Sequence, residues 1–211
     1  MIRTRSAARR SFRTAAGICL AALLTACANA PAHQGAAAVV GDERITVATV
    51  EAKITAVRDA TAEQPGAPRA ERAGLARRTV AELVLDRVLA KALADRGASV
   101  SETEVAQARA ADAQLLGGTS QLEGELLAKQ GVPAVGIDDF YRQQLGLQKL
   151  ASAAGQDPRS AGGDEAIRKA LVTAGTALRI EVNPRYGHWD PEQIGLTDAT
   201  EDWLPQNSTL Y

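Results

Sequence analysis

Cysteine, aromatic residues, histidine and methionine are all scarce in this chain of 211 residues, and each shortage removes a class of protein. The two cysteines, Cys19 and Cys27, both lie before residue 28, so no pair remains to staple the rest of the chain. Packing alone must hold it. Aromatic residues make up 3% and Met1 is the single methionine, which argues against the aromatic- or Met-rich surfaces on which many promiscuous binders rely. The two histidines, His33 and His188, have no Cys or His neighbour at metal-ligand spacing, so no metal is expected. No glycine-rich phosphate loop, nucleophile elbow or Ser/His/Asp arrangement occurs, and Ser152 and Ser160 lack a basic partner at recognisable spacing. No catalytic residue and no cofactor are therefore expected. With 24 basic and 25 acidic residues the net charge is −1, and the clustered basic footprint of a nucleic-acid binder is absent.

What is present begins with an address. Arg3, Arg5, Arg9, Arg10 and Arg13 precede any acidic residue, and an apolar run follows over residues 15–24. That run is well short of the about 20 residues that cross a bilayer, so it reads as the core of a secretory signal. It ends in Leu24-Thr25-Ala26-Cys27, which resembles the bacterial lipobox. The resemblance implies that the Cys27 thiol receives a diacylglyceryl group and becomes the mature N-terminus. The expected location is the extracytoplasmic face of a cell membrane, held by lipid. The Arg9-Arg10 pair fits twin-arginine export as well as the general secretory route, and both stay open. Without residues 1–26, 185 residues remain with 19 basic and 25 acidic side chains, a net charge of −6. That length suits one domain with a real core.

The remainder is rich in Ala and Leu, which lead the helix scale. Residues 27–37 are small and polar and read as a tether. Thr46 is placed to cap a helix carrying Val47, Val50, Ile54 and Val57, which fades near Asp59. Residues 64–68 form a Pro/Gly linker. The longest helix is predicted over residues 69–96, with Leu75, Leu83, Val84, Leu85, Val88, Leu89, Ala92 and Leu93 on a broad apolar face and Gly97 as its stop. Glu71, Arg72, Arg77, Arg78, Glu82, Asp86 and Arg87 read as its solvated side. Ser101 and Glu104 form a capping box for the next helix, which ends before Gly117-Gly118. Shorter helices follow over residues 121–130, from Asp138 to Gly155, and over residues 164–174. Asp138-Asp139 reads as macrodipole compensation, and Gly162-Gly163-Asp164 as a loop and cap.

Two short strands are predicted at opposite ends, one around Val39-Val40 and one where Leu178, Ile180 and Val182 alternate with polar residues. Lone strands are marginal, so the two are expected to pair and clasp the ends of a helical domain. Residues 186–211 show no sustained period and read as irregular, with His188-Trp189-Asp190 as a local turn contact.

The order of these pieces resembles the N-terminal chaperone domain of the SurA, PrsA and trigger-factor-like group. Residues 38–46, around Gly41, resemble the family's opening strand and turn. Residues 126–132 with 138–150 resemble its middle helices. Ile180-Glu181-Val182-Asn183-Pro184-Arg185-Tyr186-Gly187 resembles its closing strand and turn, with Asn183, Pro184, Arg185 and Gly187 as the motif residues. The resemblance implies a mainly α fold over residues 38–190, with the short N- and C-terminal strands paired and an irregular tail over residues 191–211. Foldases of this group usually carry a parvulin-type prolyl isomerase domain of about a hundred residues, an ordinary domain size. Only 27 residues separate Leu150 from Leu178, so that domain is not expected there.

The implied function is a non-enzymatic chaperone or holdase for unfolded or newly exported polypeptides, anchored to the membrane by lipid. The alternative is a scaffold lipoprotein that binds one dedicated cell-envelope partner. Residual prolyl isomerase activity is disfavoured. A groove lined by Leu, Val and Ile would separate the first reading from a compact bundle with a wholly polar surface.

Overall fold

The computed structural model describes residues 35–63 and 74–198. These belong to one of the chain's two compact units, Ala32–Tyr211. The other unit, Met1–Pro31, lies outside the described residues. Leu24, Thr25, Ala26 and Cys27 fall there, and His33, the linker over residues 64–68 and Trp203 are likewise outside. Among the described residues the chain forms six α-helices and five short strands, so the fold is mainly α.

Strands β1 (Ala36–Val40) and β2 (Glu43–Thr46) form a tight hairpin around Gly41-Asp42. Gly41 has φ 59°, the positive value that a two-residue hairpin turn requires at its first central position. The Gly-Asp turn was legible in the sequence; the strand after it was not. The hairpin also corrects the tether, because Ala36, Ala37 and Ala38 are fully buried. Small side chains resembled a flexible linker in composition, yet they let the strand lie flush on the helices beneath it.

The expected clasp is present. Strand β3 (Ile180–Val182) pairs antiparallel with β1, setting Val40 opposite Ile180 and Ala38 opposite Val182, in a sheet of order β2-β1-β3. Gly41 N extends the pairing to Arg179 O at 2.8 Å.

Helix α1 (Val47–Ala62) starts at Thr46, whose hydroxyl accepts from Thr49 N at 3.0 Å, and it continues past Asp59. Helix α2 (Leu75–Ala94) is the central element, burying Val80, Leu83, Val84, Val88, Leu89, Ala92 and Leu93. Each of the buried Val and Leu side chains contributes about 1.5–3 kcal/mol relative to exposure. Helix α3 (Glu102–Leu116) begins with the capping box: Glu104 N donates to Ser101 Oγ at 3.3 Å and Ser101 N to Glu104 Oε2 at 2.8 Å. Gly117, with φ 93°, closes it. Helix α4 (Thr119–Gln130) and helix α5 (Ile137–Ala153) follow. Helices α3, α4 and α5 share a satellite core of Val105, Leu122, Leu126, Ile137 and Tyr141.

Helix α6 (Ala161–Ala177) is longer than expected at both ends. Its cap is Ser160, whose Oγ accepts from Gly163 N at 3.0 Å, so Gly162-Gly163-Asp164 forms the first turn and not a loop. Gly163 is confined by the Asp157 carbonyl, which an added Cβ would strike. The interval from Leu150 to Leu178 is thus the end of α5, a short loop and α6.

Irregular structure after residue 186 is the second correction. Strands β4 (His188–Asp190) and β5 (Gly195–Thr197) form an antiparallel hairpin, with Trp189 opposite Leu196 and Trp189 buried in the main core. Three-residue strands are too short to show a period, so this hairpin was invisible in the sequence. Arg77 secures it to α2, donating to Leu196 O at 2.7 Å and pairing with Asp198.

Candidate functional site

Helix α2 presents two faces to its neighbours. Val80, Val84, Val88 and Ala92 are fully buried in the main core. Leu83, Asp86, Arg87, Ala90, Leu93 and Ala94 repeat at helical spacing on an adjacent face, where they line a groove of about 630 Å³. Thr49 and Lys53 of α1 wall one side, and Asp139, Arg142 and Gln143 of α5 wall the other. The α2–α3 connector closes one end with Ala98, Ser99 and Val100. Leu83, Leu89, Leu93 and Val100 make an apolar floor, and exposed Ala90 and Ala94 keep it low. No aromatic residue lines it. One turn beyond Gln143, the wall is set by Gly146, where a Cβ would sit 3.0 Å from a Leu89 methyl and 3.2 Å from a Leu93 methyl. Only glycine lets α5 approach α2 so closely there without moving those leucines.

The rim is ionic. Lys53 Nζ donates to Asp139 Oδ2 at 3.0 Å, and Arg142 Nη1 donates to Asp139 Oδ1 at 2.8 Å. Arg142 Nη2 reaches back to both Glu102 oxygens at 2.9 and 3.1 Å. This ladder joins α1, α5 and the start of α3. Arg87 pairs with Glu43 of β2, and Lys149 binds Glu104 and Ser99 O, each at 2.6 Å. These pairs are partly exposed and screened by solvent, so the ladder shapes the rim more than it stabilises the fold. Asp86 differs. It accepts from Gln143 Nε2 at 3.1 Å, and burial raises its carboxyl above the usual range, against the pull of Lys53.

The motif residues stand away from the groove, at the strand clasp. Gly41 makes the hairpin turn. Asn183 N donates to Ala37 O at 2.9 Å, its Nδ2 donates to Ala36 O at 3.3 Å, and its Oδ1 accepts from Arg185 N at 3.2 Å. Pro184 opens a 3-10 turn over Pro184–Tyr186, and the Arg185 guanidinium lies 4.6 Å from the Tyr186 ring centre. Gly187, with φ 114°, lies under the Thr197 carbonyl, which any Cβ would strike. These residues close the domain and touch no groove residue in any of these contacts.

Asp138 and Asp139 do lie in the first turn of α5, and each has an ion-pair partner as well, Arg109 at 2.8 Å for Asp138. His188 is exposed, and Asp190 caps the hairpin turn by accepting from Glu192 N at 2.9 Å and Gln193 N at 3.2 Å. The solvated side assigned to α2 is corrected at three positions: Arg77 holds the C-terminal hairpin, Asp86 and Arg87 line the groove. The signal for Asp86 and Arg87 was their phase, since they share the helical face of Leu83, Ala90 and Leu93. Among the described residues no group of three His, Cys, Asp or Glu side chains could hold a metal, and no helix is long and apolar enough to cross a membrane.

The family comparison matches a SurA-like N-terminal domain over residues 14–151. It ends at the last turn of α5, so the closing stretch Ile180–Gly187 falls outside it. No curated protein and no solved structure matches the chain. With well over half of its residues in that match, and with a mainly α domain clasped by short strands, the chain belongs to the SurA-like N-terminal domain family.

Proposed function

We propose that this protein is a lipid-anchored holdase that binds apolar segments of newly exported polypeptides, reversibly and without turnover. The observation that carries the reading is the groove between α1, α2 and α5, where the edges of the largely buried Leu83, Leu89 and Leu93, with Val100, make an apolar floor under an ionic rim. Such a groove takes apolar side chains while the rim keeps the empty domain soluble. Family membership supports a polypeptide as the occupant. Leu24-Thr25-Ala26-Cys27 supports a lipid anchor, which would hold the groove at the membrane face where chains emerge unfolded.

The test is light scattering from several unrelated denatured proteins diluted into buffer with the full chain. Delayed aggregation of all of them, lost in an Ala90→Trp variant that fills the groove, is the expected result. Capture of one envelope protein with no general effect would instead establish the dedicated scaffold. Prolyl isomerase turnover that survives purification would overturn the non-enzymatic reading.

A further inference from the structure

Building on the groove reading above, we propose that Asp86 makes the groove selective for client segments carrying a lysine or arginine between apolar side chains. The argument is a charge balance. Lys53 and Arg142 are matched by Asp139 and Glu102, and Arg87 is matched by Glu43. Lys149, behind the connector, is matched by Glu104. Asp86 is the groove carboxylate left over. Its Oδ1 accepts from the neutral Gln143 amide, and among the described residues no cation reaches it within salt-bridge distance.

Its position suits a long cationic side chain. Asp86 shares a face of α2 with Leu83, Ala90 and Leu93, so apolar surface lies one turn to either side of the carboxylate. A lysine or arginine entering there lays its aliphatic stem on the Leu/Ala floor and brings its charged head to Asp86 Oδ2. Neighbouring apolar side chains of the client occupy the floor on both sides. Burial disfavours the Asp86 anion, so a desolvated cation brought beside the carboxylate would relieve that penalty. A client carboxylate meets Asp86 and Asp139 instead, and would have to displace one of the existing pairs to find Lys53 or Arg87. With no aromatic in the lining, this charge is the groove's principal means of discrimination.

The experiment is fluorescence anisotropy with the full chain and three labelled peptides of one Leu/Ala sequence, bearing lysine, glutamine or glutamate at the centre. The lysine peptide should bind roughly five- to tenfold tighter than the glutamine peptide, the margin of a charge-assisted over a neutral hydrogen bond, with glutamate weakest. Asp86→Asn should remove the lysine advantage, and Ala90→Trp should weaken all three. Equal affinities for lysine and glutamate, or a ranking unchanged in Asp86→Asn, would overturn the assignment of Asp86 and leave the groove standing. Binding of none of the peptides, or binding indifferent to Ala90→Trp, would overturn the groove and the selectivity together.

Discussion

Gln143 of α5 donates its side-chain amide to Asp86 of α2 at 3.1 Å, so a half-buried carboxylate is held across a helix–helix boundary by a neutral group. Burial is the largest influence on Asp86 and raises its carboxyl above the ordinary value. The folded chain therefore binds this proton more readily than the unfolded chain does. The stability penalty is absent below the ordinary carboxylate range and grows as pH rises towards the raised folded value. Asp86→Asn keeps an acceptor for Gln143 and removes the charge. The variant should be more stable than wild type at pH 7, with the difference vanishing near pH 3, read from urea denaturation midpoints.

Glu104 has the opposite sign. Hydrogen bonds from Lys149 and from Ser101 hold its carboxyl down at about 2. Its contribution is complete above the ordinary Glu value near 4.5 and is lost as pH falls towards about 2. Glu104→Gln should flatten the acid limb of the stability profile over that window. Hydrogen exchange at the first turn of α3 is the local readout.

Gly187→Ala forces a Cβ onto the Thr197 carbonyl at a backbone with φ 114°. The expected loss is about 2–3 kcal/mol, combining strain and displacement of the hairpin. A thermal melt measures it, and a melt identical to wild type would contradict the close packing of β4 and β5.

Arg77→Ala removes the donor to Leu196 O and the partner of Asp198. About 1–2 kcal/mol should be lost, confined to the C-terminal hairpin. In a Trp203→Phe background Trp189 becomes the sole indole, and its emission should shift to the red as the hairpin loosens.

Cys27→Ser tests the anchor. Cell fractionation should find the variant protein released from the membrane, and full retention would refute lipid attachment at that residue.

Features set by neighbouring residues were readable from the chain. Thr46 before Val47, Ser101 with Glu104, and Gly117 after Leu116 each specify a helix end through backbone groups at most a few residues away. The pairing of Val39-Val40 with Ile180 was also legible, because two lone apolar strands in a helical chain have few other partners. The hairpin at Trp189 and Leu196 was not, since its three-residue strands form only with Arg77 and the main core to hold them. Ala36 and Ala37 misled in the same way: their composition matches a tether, and only the helices beneath make them core.

The groove divides along the same line. Periodicity alone determined that α2 has a broad apolar face and that the chain is mainly helical. Which of those core side chains keep an edge on a groove was decided by the tertiary fold. Gly146 brings α5 down onto Leu89 and Leu93, Lys53 reaches Asp139 from α1, and the space left between them is the groove. A stripe of Leu and Ala reads the same whether another helix covers it or not; the placement of α1 and α5, set by contacts far apart in the chain, leaves Asp86 with a neutral partner, Gln143, and no cation within salt-bridge distance among the described residues.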